Sequence, residues 1–152
     1  MTKDELKIFL ENKYPNFKIE STSTCIVLHI EANDLLSIAE YLKLASETQF
    51  DFLCCQTAVD RLTHFELVYN LTSTELRHML TLKTTLPDRE NAEIESVISL
   101  WQAAELYECE IFDLFGIHFK NHPTLRRIFL GDEWKGYPLR KDYKDDVNVL
   151  GL

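Results

Sequence analysis

The stretch HFELVYNL, residues 64–71, alternates apolar and polar side chains in a way that is typical of a β-strand with one buried face. That face would carry Phe65, Leu67, Tyr69 and Leu71. Residues 50–59 before it read as a buried strand, and residues 75–84 after it place Leu76, Leu80 and Leu82 together. The short links at 60–61 and 72–74 favour antiparallel pairing of these strands. The sequence therefore predicts a β-sheet.

The residues before these strands predict two helices and a hairpin. Thr2 and Glu5 fit a capping box for an amphipathic helix over residues 3–13. The alternating run 25–31 predicts a strand that pairs with a shorter one around 17–20. Asn33 then fits the cap of a second helix, whose apolar stripe consists of Leu35, Ile38, Ala39 and Leu42.

This order of elements predicts an α+β fold in two layers, with a mostly antiparallel five-stranded sheet and helices on one face. The other face would stay partly open to a partner or to water. After a break at Leu86-Pro87-Asp88, Ser99 and Gln102 fit the cap of a final helix that runs to about Phe115. We therefore expect one α+β domain over residues 1–115 and an irregular C-terminal arm over residues 116–152.

Charge and composition restrict the possible functions. Residues 1–115 carry a net charge of −11 and residues 116–152 carry +2, and such an acidic body argues against nucleic acid as a partner. No apolar run is long enough for a membrane span, and the charged start of the chain predicts no secretory signal. The four cysteines form no CxxC pair, so we expect core packing in a reducing compartment, not metal binding.

The predicted final helix contains a carboxylate inside its apolar stripe. On a helical wheel Glu108 lies between Phe112 and Phe115, whereas Glu110 and Asp113 lie outside the apolar arc. A buried carboxylate needs a partner, so we expect Glu108 to form an ion pair that fixes the arm to the helix. The candidate partners are Arg126, Arg127 and Arg140. General acid–base chemistry at Glu108 is the alternative.

The sequence gives weaker support for a metal site or for nucleophilic catalysis. His118 and His122 are near Asp113, but Gly116 and Pro123 interrupt the regular helix that a four-residue metal spacing requires. His122 is instead expected to be a hydrogen-bonding loop residue. No GxSxG, P-loop or GxGxxG pattern is present in the sequence.

The arm differs from the rest of the chain, because the first 115 residues contain no glycine and the arm contains Gly116, Gly131 and Gly136. Trp134 and Tyr137 lie among glycine and proline, followed by Arg140 and Lys141. Trp, Tyr and Arg are enriched at interface hot spots, so the arm is expected to dock on another protein.

The block ECEIFDLFGIHFKNHPTLRRI, residues 108–128, followed by GYPLRKDY, residues 136–143, closely resembles the signature of a known family. That family is the C-type subunit, also called the thirty-kilodalton subunit, of respiratory NADH:quinone oxidoreductase, complex I. The matching positions are Glu108, Glu110, Asp113, Leu114, Phe115, His122 and Arg126. Cys109 replaces the usual arginine, and Asn121 stands where glycine often precedes His-Pro.

The resemblance implies a non-catalytic, peripheral subunit on the cytoplasmic side of the inner membrane. It would pack against the quinone-site subunit, of the forty-nine-kilodalton type, and near the subunit with the terminal iron-sulfur cluster. Clusters, FMN, NADH and quinone would be bound by partner subunits, and this chain would bind no cofactor or metal itself. The residues expected to form the signature and the interface are Glu108, Glu110, Asp113, Gly116, His122, Pro123, Arg126, Arg127, Trp134, Gly136, Pro138, Arg140, Lys141 and Asp142.

Three alternatives remain open from the sequence. The chain could be the equivalent subunit of a related membrane-bound hydrogenase or of another quinone-reducing dehydrogenase. It could be a free-standing enzyme that uses Glu108 and His122, or a module that binds single-stranded nucleic acid through its basic and aromatic arm residues.

Overall fold

Helix α1 spans Lys3–Lys13 and begins at the predicted capping box. The Thr2 hydroxyl accepts the Glu5 amide, and the Glu5 carboxylate accepts the Thr2 amide. Leu6 and Leu10 on this helix are buried, as the helical spacing predicts. The structure is a computed structural model and describes residues 1–148.

A five-stranded sheet forms the centre of the molecule, in the order β1-β2-β5-β4-β3. The strands are β1 (Ile19–Ser21), β2 (Ile26–Ile30), β3 (Phe52–Asp60), β4 (Phe65–Thr72) and β5 (Met79–Leu86). The pair β2–β5 is parallel, and the other neighbours are antiparallel. The predicted hairpin and the mostly antiparallel sheet are confirmed.

One face of the sheet forms the core. Phe65, Leu67, Tyr69 and Leu71 of β4 are fully buried, and the residues between them are half-exposed. The register of β4 with β5 places Leu80, Leu82 and Leu86 on the same buried face. Helix α1 and helix α2 (Leu35–Leu44) contribute their apolar stripes to this core. The alternation in HFELVYNL therefore identified the buried face correctly.

Helix α3 (Ala104–Phe115) lies between two short strands that the sequence did not reveal. Strand β6 (Glu93–Glu95) and strand β7 (His118–Lys120) form a parallel pair. Ile117 and Phe119 are buried in the core, so regular structure continues past Gly116 to Lys120. The division of the chain at residue 116 stays a prediction. Within residues 1–148, no helix is both long and apolar enough to cross a membrane.

Two predicted helix starts are wrong. A 3-10 turn (Ala32–Asp34) precedes α2, and Asp34 takes the cap position in place of Asn33 without a side-chain bond. Helix α3 begins later than predicted, because residues 97–104 form consecutive turns instead of a first helical turn. The buried Trp101 lies in these turns, and its indole N–H donates to the carbonyl of Phe50 at 3.0 Å.

The cysteines are all free, but core packing is confirmed only for Cys109. Cys25, Cys54 and Cys55 are half-buried near the sheet surface. The ladder register of β3 shifts between Leu53 and Cys55, so the Cys54–Cys55 pair lies at an irregularity of an edge strand.

Gly116 gives a first prediction, because it ends α3 in the left-handed region at φ +75°. A Cβ here would lie 2.5 Å from Cε2 of Tyr137. We expect Gly116→Ala to lower the free energy of unfolding by at least about 1 kcal/mol from backbone strain alone, measured by urea denaturation.

Gly131→Ala is the matched control. A Cβ at Gly131 has no atom within 4 Å, so this variant should unfold like the parent protein. Equal stability of the Gly116→Ala and Gly131→Ala variants would contradict the prediction.

Candidate functional site

The C-terminal end of α3 is closed by the arm. The last carbonyls of a helix have no partners within it and need donors from elsewhere. Here each of the last four has one, and three of these donors come from arm residues beyond Gly116. The pairs are Gly116 N to Phe112 O, Arg127 Nη1 to Asp113 O, Leu139 N to Leu114 O and Arg140 Nε to Phe115 O, at 2.7–3.0 Å.

Asp113 forms the main attachment of the arm. Its Oδ2 accepts the amides of Ile128, Phe129 and Leu130 at 3.0, 2.7 and 3.1 Å, and its Oδ1 accepts Arg127 Nη1 at 2.9 Å. The carboxylate is fully buried, which corrects the predicted position outside the buried arc. The helical wheel failed because the arm, not the core, covers this face. Burial alone would raise the pKa of Asp113, but Arg127 and the amides hold it below its usual value.

Arg127 connects three parts of the site. Besides Asp113, its guanidinium donates to the carbonyls of Trp134 at 3.3 Å and Gly136 at 3.1 Å. It also lies 5.1 Å from the centre of the Tyr137 ring. Its five N–H donors and flat shape suit this combination of ion pair, carbonyl bonds and ring contact.

Tyr137 is half-buried and packs against two arginines of the arm, whereas the sequence suggested that it faces a partner. Its ring contacts both Arg127 and Arg140, and the second guanidinium lies 4.9 Å from the ring centre. Arg140 also lies 5.2 Å from the ring of Phe65, so it joins the arm to the sheet core. The absent side chain of Gly116 makes room for Tyr137.

Glu108 has different partners from those predicted. It is fully buried, but its carboxylate accepts Ser96 Oγ, the Val97 amide at 2.9 Å and Gln56 Nε2 at 3.3 Å. The predicted ion pair with Arg126, Arg127 or Arg140 is therefore wrong, because Ser96 and Val97, directly after β6, occupy this position instead. Burial raises the pKa of Glu108, and these hydrogen bonds oppose the increase only in part.

His122 is a hydrogen-bonding loop residue, as predicted. Its Nδ1 accepts the Thr124 amide at 3.1 Å, so Nε2 carries the proton and donates to the Glu105 carbonyl at 3.0 Å. Both ring nitrogens are thus used within the chain. Nε2 lies 3.9 Å from Oε2 of Glu108, too far for a hydrogen bond.

A second attachment of the arm was missed from the sequence. Asp60 at the end of β3 is buried and accepts Arg89 Nη2 at 2.7 Å and the Lys141 amide at 2.9 Å. Arg89 also forms a bidentate pair with Asp142 at 2.9 and 3.1 Å. Desolvation opposes ionisation of Asp60, yet the amides of Lys141 and Leu62 together with Arg89 lower its pKa. Arg89 follows Pro87-Asp88, a segment that the sequence identified only as a break.

The remaining signature residues are at the surface or half-buried. Trp134 and Pro138 are half-buried, and Nε1 of Trp134 has no hydrogen-bond partner within residues 1–148. Arg126 donates to the Thr124 carbonyl. The exposed ones are Glu110, Pro123, Arg126, Gly136, Lys141 and Asp142.

The buried carboxylates of the site are bonded within the chain. Glu108, Asp113 and Asp60 accept hydrogen bonds from donors of the chain itself. In the part of the chain that the structure describes, no group of three His, Cys, Asp or Glu side chains is placed to bind a metal ion. The site acts as a clamp that attaches the arm to α3.

Asp113→Asn tests this clamp. The asparagine amide cannot accept the Arg127 bond and the three backbone amides as a carboxylate does, so we expect a loss of about 3 kcal/mol at pH 7. Because the pKa of Asp113 is lowered, its contribution is present above about pH 3.9 and disappears as the pH falls through the folded-state pKa. Urea unfolding from pH 2 to 7 measures both effects.

Glu110→Gln is the control for this substitution, since Glu110 is exposed. It should change the free energy of unfolding by less than about 0.5 kcal/mol. A loss of similar size in both variants would show that Asp113 has no special role in attaching the arm.

Glu108→Gln should show the opposite pH dependence. The pKa of Glu108 is raised in the folded state, so its contribution is fully present below about pH 4.3 and disappears as the pH rises through the folded-state pKa. Relative to Glu108→Gln, the parent protein should therefore lose stability as the pH increases. Unfolding free energies of both proteins from pH 4 to 8 provide the test, and a constant difference would contradict it.

Several known proteins are similar in sequence to most of this chain. The C/D subunit of NADH-quinone oxidoreductase from Phocaeicola vulgatus is 42% identical over 114 residues, which cover 74% of this chain and 22% of that one. The C subunit of F(420)H(2) dehydrogenase from Methanosarcina mazei is 41% identical, with coverage of 79% and 76%. The C subunit of NADH-quinone oxidoreductase from Roseiflexus castenholzii is 37% identical, with coverage of 76% and 67%. The chain thus spans about a fifth of the length of the C/D relative.

A solved structure has a similar fold. One chain of the membrane-bound sulfane sulfur reductase, an archaeal respiratory membrane complex, superposes with a TM-score of 0.76 and 27% identity. The superposition covers 93% of this chain and 85% of that one.

The sequence profile of one family matches residues 28–148. These residues include β3 to β7, α2, α3, most of β2 and the whole described arm. The resemblance inferred from the signature is confirmed, and the chain belongs to the family described as respiratory-chain NADH dehydrogenase, 30 Kd subunit.

Proposed function

We propose that this chain is a non-catalytic, peripheral subunit of a proton-translocating NADH:quinone oxidoreductase. It supports electron transfer from NADH to quinone by packing against the quinone-site subunit, of the forty-nine-kilodalton type. Family membership and the names of the relatives support this assignment.

One observation carries the proposal: the ionisable signature residues at the centre of the site are used to hold the arm. Asp113 and Arg127 pair with each other, and both nitrogens of His122 bond to backbone atoms. Because these groups are bonded within the chain, they support a rigid binding surface better than they support catalysis. Such a preorganised surface lowers the entropy cost of binding a partner.

The C/D relatives support the choice of partner. Their names indicate that a C unit and a D unit occur in one chain, and the present chain matches only 22% of each. We assign the quinone-site partner to the D unit and place the terminal-cluster subunit nearby. Iron-sulfur clusters, FMN, NADH and quinone belong to partner subunits in this proposal. The chain lies on the cytoplasmic side of the inner membrane as a peripheral component.

A related complex with a different electron donor is the second candidate. The M. mazei relative is named as a subunit of an F(420)H(2) dehydrogenase, and the structural neighbour belongs to a sulfane sulfur reductase. The same unit therefore occurs in complexes whose names give different substrates. That distribution favours a supporting role for this chain, and it keeps a membrane-bound hydrogenase or another quinone-reducing dehydrogenase as the alternative.

Affinity purification from mild-detergent extracts of membranes tests the proposal. The tagged chain should co-purify with a D-type subunit and iron-sulfur subunits, and the complex should reduce quinone with NADH. The purified chain alone should show no turnover. Turnover with another donor would select the second candidate.

Two results would contradict the proposal. One is a chain that purifies without any respiratory subunit. The other is reproducible turnover by the isolated chain that Glu108→Gln abolishes, which would identify a free-standing enzyme.

A further inference from the structure

The adjacent cysteines of β3 lie at an irregularity that changes the direction of their side chains. In a regular strand, neighbouring side chains point to opposite faces of the sheet. The pairing of β3 with β4 joins Leu53 to Leu71 and Cys55 to Asn70. Cys54 is therefore an extra residue without a cross-strand partner, which defines a β-bulge.

The burial of β3 shows that the alternation changes phase at this bulge. Before it, Phe52 is exposed and Leu53 is buried. After it, Gln56 is buried and Thr57 is exposed. Even-numbered residues up to 54 and odd-numbered residues from 55 onward thus point away from the core. We call this side of the sheet the open face, and both cysteines of the pair belong to it and are half-buried.

A hydrogen bond confirms the direction of the Cys54 side chain. Its Sγ lies 3.1 Å from Oγ1 of Thr72. Thr72 and Asn70 are two residues apart on β4, so they share the open face, and Asn70 is the cross-strand partner of Cys55. The bulge therefore places two neighbouring thiols on one face. The Tyr107 hydroxyl of α3 donates to the Cys54 carbonyl at 2.9 Å and holds the backbone of the bulge.

The geometry of adjacent residues restricts what two such thiols can do. Consecutive Cα atoms are about 3.8 Å apart across a trans peptide, whereas a disulfide usually needs at least about 4.4 Å. A direct bond between the two sulfurs would therefore be strained. A larger atom that bridges the sulfurs avoids this strain, and thiolates prefer soft, thiophilic centres. A structural zinc ion needs four ligands, and within residues 1–148 no group of three His, Cys, Asp or Glu side chains is placed to bind a metal.

We infer that Cys54 and Cys55 form a two-thiol binding site for organic trivalent arsenic compounds on the open face. An arsenic atom that carries one organic group needs only two thiols to complete its coordination. With a compound R–As=O, two As–S bonds form, both S–H bonds break, and the oxygen leaves as water with the two protons. Arsenic stays trivalent, so the reaction needs no oxidant or reductant. The second As–S bond forms within the chain, at a high effective concentration.

Cys25 provides an internal comparison, because it lies on the same face but far from the pair. Its Sγ is 3.4 Å from Oγ1 of Thr81, and this hydroxyl donates to Asn70 Oδ1 at 2.8 Å. Cys25 directly precedes β2, and β2 and β3 are separated by β5 and β4. Three strand spacings correspond to about 14 Å, too far for Cys25 to share an arsenic atom with the pair.

Phenylarsine oxide, added to the reduced full chain, tests the site. By intact mass spectrometry we expect one phenylarsenic group per chain that withstands excess mercaptoethanol and is removed by ethanedithiol. Cys54→Ser and Cys55→Ser should each weaken binding by about a hundredfold or more, because one As–S bond is lost. Cys25→Ser should bind like the parent chain. A parent chain without a stable adduct, or tight binding by Cys54→Ser, would overturn the inference.

A double variant tests whether the bulge sets the required spacing. Cys54→Ser combined with Thr57→Cys keeps two thiols on the open face, at positions 55 and 57, but separates them by about 6.6 Å along the strand. It should bind as weakly as Cys54→Ser alone, and binding equal to the parent would contradict a role for the bulge. Serine can replace the Cys54 hydrogen bond to Thr72, so urea unfolding should match the parent. These measurements use the chain alone, so their outcome is independent of the proposed function.

Discussion

The ion pair of Asp113 with Arg127 is the contact on which the arm depends. Asp113 alone would be a costly buried charge, and the last carbonyls of α3 alone would lack donors. The arm resolves both problems, since it brings a guanidinium to the carboxylate and donors to the helix end. The cations also lie at the negative end of the helix dipole, where they are favourable. The arm and the helix end therefore depend on each other.

The two buried carboxylates of the signature have opposite electrostatic environments. Asp113 has a cation and three amides, which lower its pKa, whereas Glu108 has only neutral donors and a raised pKa. Glu108 links α3 to β3 through Gln56 and to the segment after β6 through Val97, so it joins three elements. Glu108 thus connects α3 to the rest of the domain, and Asp113 connects α3 to the arm.

The sequence predicted the elements with strong periodicity and failed where a contact comes from a distant segment. The capping box located α1 to the residue, and alternation located the buried face of β4. The wheel placed Glu108 correctly but not Asp113, because it cannot show which loop will cover a helix. Strands β6 and β7 have three residues each and pair across α3, so no local pattern marks them. The role of Arg89 was missed because its partners, Asp60 and Asp142, are distant from it in the sequence.

Internal use of polar groups also explains which residues remain for binding. The side chains that look most reactive in the sequence, such as His122 and Arg127, form hydrogen bonds within the chain. The exposed residues near them include the apolar side chains of Leu106, Phe129 and Leu139. Because the clamp fixes the backbone of the arm, a partner that binds there has to order few groups. Conversely, any change that frees the arm would disturb the exposed surface of the arm without altering an exposed residue.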